Sequence, residues 1–149
     1  MSSAQGDGAG ALQAYRQAAE RGPNDQSVLS ALAVASADAG DADAAIQAFE
    51  RIVTLQSQSL ERSQGQLDAL QAEAAAAGGI DRLPAKAQSQ LQDLQAMVAY
   101  RRSQIYLTQR NIALVYRDAG RTAEAIAAAE QAATYATEDQ RTQIEQLIA

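Results

Sequence analysis

The segment DAGDAD contains Asp38, Asp41 and Asp43, whose type and spacing come nearest to a metal-binding site in this sequence. Closely spaced carboxylates can hold Ca²⁺, but an EF-hand loop needs a frame of about twelve residues and a terminal Glu, which this segment lacks. Asp41 instead follows Gly40, and an aspartate directly after a helix-ending glycine is a favoured N-cap for the next helix. The segment therefore predicts a turn between two helices rather than a calcium site.

Catalytic chemistry has few candidate residues, because the chain contains no histidine and no cysteine. Histidine is the commonest general base and metal ligand, and cysteine supplies thiolate nucleophiles and thiolate ligands. The serine and threonine hydroxyls have no obvious activating partner, and the carboxylates are scattered along the chain. These features predict a non-catalytic protein with no metal site and no cofactor.

The composition predicts one all-α domain. The 149 residues suffice for a core, they are rich in Ala and Gln, and only two are proline. A net charge of -6 without a basic cluster disfavours nucleic acid and anionic membranes as partners. No apolar run reaches the length of a membrane span, and no signal segment opens the chain. We expect a cytoplasmic protein, although a mature periplasmic protein would have the same composition.

A phrase that begins DAGDADAAIQAFE at Asp38 recurs as DAGRTAEAIAAAE at Asp118. In each copy, apolar residues at helical spacing precede the glycine and a second apolar helical face follows it, which predicts a helix-turn-helix hairpin. This pattern resembles the tetratricopeptide repeat, a helix hairpin of about 34 residues. The residues at the family's packing and turn positions are Leu29, Leu32, Ala33, Ser36, Gly40, Ala45, Phe49 and Ile52 in the first copy, and Ile112, Ala113, Tyr116, Gly120, Ala125, Ile126, Ala129 and Ala132 in the second.

Both ends of the chain extend the resemblance. At the C-terminal end, Thr137 and Gln140 have the spacing of a capping box, which predicts a last helix that covers the open end of the stack. At the N-terminal end, a half-repeat is predicted one repeat length upstream of the first copy, with Ala11, Tyr15, Ala18 and Pro23 in the register of Ala45, Phe49, Ile52 and Ser57.

The interval between Gly40 and Gly120 exceeds one repeat, so it contains an insertion. Ser57 stands where the family prefers Pro, and the next strong helix breaker is GGIDRLP at residues 78–84. Two helices of nearly equal length, 42–77 and 85–119, are therefore predicted to form an antiparallel hairpin with apolar residues at heptad spacing. The predicted seam of this arm contains Leu60, Leu67, Leu70, Leu91, Leu94, Val98 and Ile105.

Together these patterns predict an all-α fold of tetratricopeptide-like repeats (an α-solenoid) interrupted by a long antiparallel, coiled-coil-like helical hairpin. A generic Ala-rich helical bundle is the alternative fold. The predicted organisation is a flexible leader at 1–10, a half-repeat and repeat at 11–59, the arm at 60–105, a repeat at 106–139 and a capping helix at 140–149.

The resemblance implies a scaffold that binds a protein or peptide on the concave surface formed by the first helix of each repeat. On this chain the implied positions are Ser27, Ser30, Val34 and Ala37 in one repeat and Leu107, Arg110, Asn111, Leu114 and Arg117 in the other. Arginine and asparagine beside leucine can hold a carboxylate next to an apolar group.

A structural role is the alternative function, with the arm mediating homo-oligomerisation. Polar residues interrupt the arm seam nearest the repeats, and they have two interpretations. Either they specify the register of the arm, with Arg101 reaching Glu61 or water, or the arm leaves an apolar stripe for a second chain.

Overall fold

The computed structural model describes the backbone of residues 3–148 and the side chains of residues 8–147. The described residues form six α-helices and one turn of 3₁₀ helix, with no β-strand. This confirms the all-α prediction. The helices are α1 (Ser3–Arg21), α2 (Gln26–Asp38), α3 (Ala42–Ala77), α4 (Ala85–Asp118), α5 (Thr122–Thr134) and α6 (Glu138–Ile148), and the 3₁₀ turn is Ile80–Arg82.

The two copies of the repeated phrase form similar turns. Gly40 and Gly120 adopt φ angles of 83° and 78°, in the left-handed region that glycine enters without steric cost. The residue after each glycine donates its N–H across the turn, from Asp41 to Ser36 and from Arg121 to Tyr116, both at 2.9 Å. Asp41 also accepts from the N–H of Ala44 at 3.1 Å, so its predicted role as an N-cap is confirmed.

The long helices α3 and α4 meet at a reversal of the chain. α3 ends at Gly78, which has a φ of 97°, and α4 begins after Pro84, whose missing N–H costs a helix start nothing. Arg101 Nε donates to Ser63 Oγ at 2.9 Å, and Thr108 Oγ1 donates to Gln56 Oε1 at 3.0 Å. These two contacts pair a later residue of α4 with an earlier residue of α3. The two helices therefore run antiparallel.

Most of the predicted seam residues lie between these two helices. Leu67 and Leu70 from α3 share one buried cluster with Leu91 and Val98 from α4, and Leu83 closes the cluster at the tip. Leu60 and Leu94 are half-buried against this cluster, and Ile105 is fully buried.

A second cluster lies where α2, the first turns of α3, the last turns of α4, α5 and α6 meet. Alanines supply much of the contact surface of α5, and their small side chains allow neighbouring helices to approach closely. Ile144 of α6 is 1% exposed, and Tyr106 donates its hydroxyl hydrogen to the carbonyl of Gln140 at 3.2 Å. α6 therefore covers one end of this core.

The terminal helices differ in part from the prediction. α1 begins at Ser3, so the described part of the predicted leader is helical, and the single residues Gly8 and Gly10 do not end the helix although each costs about 1 kcal/mol relative to Ala. Residues 1 and 2 of the leader lie outside the described residues. At the other end the capping box is confirmed, because Thr137 N–H donates to Gln140 Oε1 and Gln140 N–H donates to Thr137 Oγ1.

Candidate functional site

A groove of about 420 Å³ lies between α2 and α4, with α3 as its floor. It combines four of the predicted concave-surface residues, Ser27 and Ser30 from α2 with Leu107 and Asn111 from α4. We call it the α2–α4 groove. Its other lining residues are Gln26, Phe49, Ile52, Gln56, Gln104 and Thr108.

The α2–α4 groove is uncharged. Buried Phe49 and Ile52 provide an apolar floor, while hydroxyl and amide groups stand at the walls. Serine hydroxyls and the Asn111 amide can each donate and accept hydrogen bonds, so they can pair with the backbone of a bound segment. The groove can therefore form both apolar contacts and hydrogen bonds.

Arg110 directly precedes the groove residue Asn111 in sequence, but it does not line the groove. Its Nε is buried without a hydrogen-bond partner among the described residues. A buried donor without an acceptor loses its bond to water and gains nothing in exchange. Arg110 Nε has almost no solvent-exposed surface, so the groove does not present this donor to a bound molecule.

The other predicted site residues do not line the groove. Arg117 turns to the C-terminal end of α6, where its Nη1 donates to the carbonyl of Leu147 at 3.3 Å, and it also pairs with the neighbouring Asp118. Leu114 is half-buried, and the side chain of Val34 is 52% exposed.

A second pocket, of about 450 Å³, lies between α3, α4 and α5, and the sequence did not predict it. Glu50, Tyr116 and Glu124 line it, and burial raises the pKa of Tyr116, with Glu124 and Glu50 adding to the effect. The guanidinium of Arg121 lies 4.9 Å from the centre of the Tyr116 ring.

Arg121 itself is held by two carboxylates. It pairs with Glu124 at 2.7 Å and with Asp43 at the start of α3 at 2.6 Å, and its hydrogen bonds to them raise its pKa. Glu124, which lines this pocket, is therefore already neutralised by Arg121. The only feature of the sequence that pointed towards these ion pairs was the charged residue that follows each turn glycine.

Along the stretch predicted to form the arm, α4 carries a row of residues of which the seam prediction included only Leu94. Met97 is 43% exposed and Tyr100 is 61% exposed. A pocket of about 400 Å³ lies beside Leu94 and Met97, and another, of about 220 Å³, lies between Tyr100 and Gln26. We call this row the arm stripe, and it consists of Gln90, Asp93, Leu94, Met97, Tyr100, Arg101 and Gln104.

The arm stripe and the α2–α4 groove are continuous. Gln26, Gln56 and Gln104 line both the groove and the pocket beside Tyr100. Arg101, which we expected to reach Glu61 or water, binds Ser63, because Ser63 is the hydroxyl opposite it across the seam.

The described residues contain no cluster of three or more carboxylate, histidine or cysteine side chains placed to bind a metal. None of the described helices is both long enough and apolar enough to cross a membrane.

Comparison with known families gave a match to part of the chain. The family model described as tetratricopeptide repeat matches residues 108–139, which include the end of α4, all of α5 and the start of α6. This match supports a tetratricopeptide repeat in that segment. Comparisons with curated proteins and with solved structures gave no match.

Proposed function

We propose that this chain is a non-catalytic scaffold that binds a peptide or protein segment in the α2–α4 groove. In the proposed organisation, residues 11–59 and 106–139 form tetratricopeptide-like units, residues 60–105 form an arm inserted between them, and residues 140–149 cap the stack. The repeat match at 108–139 supports a role in protein interaction.

One observation carries the proposal. Ser27 and Ser30 are far from Leu107 and Asn111 in sequence, yet all four line one groove. The repeat register identified these positions without knowledge of the groove, because it places them on the first helix of each unit. Their convergence supports the α2–α4 groove as the binding surface.

The chemistry of the groove indicates the kind of segment that it receives. The apolar floor suits one or two buried side chains, and the Asn111 amide suits a backbone N–H or carbonyl. The positive charge of Arg110, which directly precedes Asn111 in sequence, favours a segment that carries a carboxylate.

The experiment begins with affinity capture from the source cell and identification of the captured protein by mass spectrometry. The purified partner is then titrated calorimetrically against the wild-type chain and two variants. Ser30→Arg places a long side chain in the α2–α4 groove and is expected to weaken binding at least about tenfold, since it displaces the segment. Gln131→Arg, in the pocket on the other side of α4, is the matched control and is expected to bind as the wild type does.

Equal weakening by both variants, or by neither, would contradict the α2–α4 groove as the site. Arg110→Glu then tests separately whether the bound segment contributes a carboxylate. It is expected to weaken binding of an acidic partner more than Arg117→Glu does, because Arg117 is already bound to α6.

A second candidate function is self-association through the arm, and the exposed side chains of Met97 and Tyr100 favour it. Light scattering of the full chain and of a variant lacking residues 60–105 tests it. An oligomer that disappears with the arm is the expected result, and a full chain that stays monomeric would contradict it.

A further inference from the structure

The arm stripe leaves large apolar side chains in water. Met97 and Tyr100 are about half exposed, and Leu94 is only half-buried beside them. The arm has just two helices, so each helix packs against one neighbour only. Two packed elements rarely bury enough apolar surface to be stable alone, and the stripe is the apolar surface that remains for a further element.

The stripe is nearly symmetric about Met97. Leu94 and Tyr100 stand three residues away on either side, Asp93 and Arg101 four residues away, and Gln90 and Gln104 seven residues away. At about 100° per residue, all six point within about 60° of the direction of Met97. A two-fold axis through Met97 therefore brings together two large apolar residues, two opposite charges and two amides.

The charged positions have free bonding capacity. Asp93 is exposed, and among the described residues it forms no ion pair. Arg101 uses only its Nε, on Ser63, which leaves its two Nη groups without a hydrogen-bond partner in the described part of the chain. A carboxylate facing Arg101 can therefore bind without disturbing the seam of the arm.

We infer that a second copy of this chain packs antiparallel along the arm stripe, with the two-fold axis at Met97. This inference rests on the proposed self-association and does not depend on binding in the α2–α4 groove. Asp93 of each copy faces Arg101 of the other, and Tyr100 enters the 400 Å³ pocket beside Leu94 of the second copy. A parallel pair would oppose Asp93 to Asp93 and Arg101 to Arg101, so charge selects the antiparallel arrangement.

A charge swap tests this register. Sedimentation equilibrium of the full chain is expected to give a dimer of twice the 15.7 kDa chain mass. Asp93→Arg and Arg101→Asp each place like charges opposite one another at two symmetry-related positions, and each is expected to raise the dimer Kd at least about tenfold. An equimolar mixture of the two variants restores both opposite-charge pairs and is expected to form a heterodimer of wild-type affinity.

Circular dichroism of each variant confirms that the helices remain, since Arg101→Asp also removes the hydrogen bond to Ser63. A monomeric wild-type chain overturns both the inference and the self-association proposal. A dimer that neither variant weakens, or a mixture no tighter than the single variants, overturns the register alone.

Cysteine cross-linking gives an independent readout, because the chain has no cysteine of its own. Met97→Cys lies on the proposed axis and is expected to form an interchain disulfide rapidly under mild oxidation, since a disulfide needs Cα atoms about 5.5 Å apart. Ala99→Cys, which is exposed on the opposite side of α4, is the matched control. Equal rates at the two positions would overturn the inference.

Discussion

Single glycines have opposite roles in this chain, depending on their φ angles. Gly120 has a φ of 78°, so Gly120→Ala is expected to destabilise the protein by about 1 kcal/mol, because an L-residue enters the left-handed region only with strain. Gly65 lies in the interior of α3, and no heavy atom would lie within 4 Å of an added Cβ. Gly65→Ala is therefore expected to stabilise by about 0.5–1 kcal/mol. Urea unfolding measures the free energy of unfolding of both variants. A change of the same sign in both would contradict the opposite roles assigned to the two glycines.

Tyr116 links stability to alkaline pH. Burial raises its folded-state pKa above the usual value of about 10, so the unfolded chain loses the phenol proton at a lower pH than the folded chain does. Its stabilising contribution is complete below about pH 10 and is lost as the pH rises through the raised pKa. Urea unfolding between pH 8 and pH 11 is expected to show a smaller loss of stability in Tyr116→Phe than in the wild type. Equal losses of stability in the two proteins would mean that ionisation of Tyr116 does not cause the loss.

Burial decides how much an apolar side chain contributes to the stability of α3 and α4. Leu91 is 2% exposed, and Leu91→Ala is expected to cost about 3 kcal/mol, because it leaves a cavity between α3 and α4. Ile126 on α5 is 40% exposed, so Ile126→Ala should cost less than about 1 kcal/mol. Hydrogen exchange is expected to localise the Leu91→Ala effect to α3 and α4. Loss of protection in α5 as well would show that α5 unfolds together with α3 and α4 as one unit.

The helices could be predicted from the sequence where local signals were strong. Gly40, Gly120 and Pro84 mark helix boundaries. An aspartate marks the start of α3, and a capping box marks the start of α6. Arg101, for which the sequence suggested Glu61 or water, donates its Nε–H to Ser63 instead of contacting Glu61, because periodicity does not distinguish Glu61 from Ser63. That choice depends on the rotation of each helix about its axis, which only packing determines.

At the scale of the whole molecule, the repeat register placed nine residues of α2 and α4 on one predicted surface, and four of them, Ser27, Ser30, Leu107 and Asn111, line the α2–α4 groove. The register could not predict that Arg117, unlike Arg110, binds another part of the chain, because that contact is made by α6. The carbonyl of Leu147, at the far end of that helix, binds Arg117. Similarly, the Arg121 contact with Asp43 joins two turns that are distant in sequence, and no local pattern indicates it.

The proposed dimer and the proposed groove ligand compete for the same surface. With the two-fold axis at Met97, Leu83 at the tip of one arm lies opposite Asn111 in the α2–α4 groove of the second copy. Self-association thus covers the groove, and the apparent Kd for a groove partner should rise as the fraction of monomer falls. At a chain concentration where about nine-tenths of the protein is dimeric, binding is expected to be about tenfold weaker than at high dilution. Titration of the partner at several chain concentrations measures this, with Asp93→Arg as the control, whose weaker dimer is expected to shift the loss of affinity to higher chain concentrations. A wild-type affinity that is independent of concentration, in a chain shown to dimerise, would mean that the arm tip does not reach the groove.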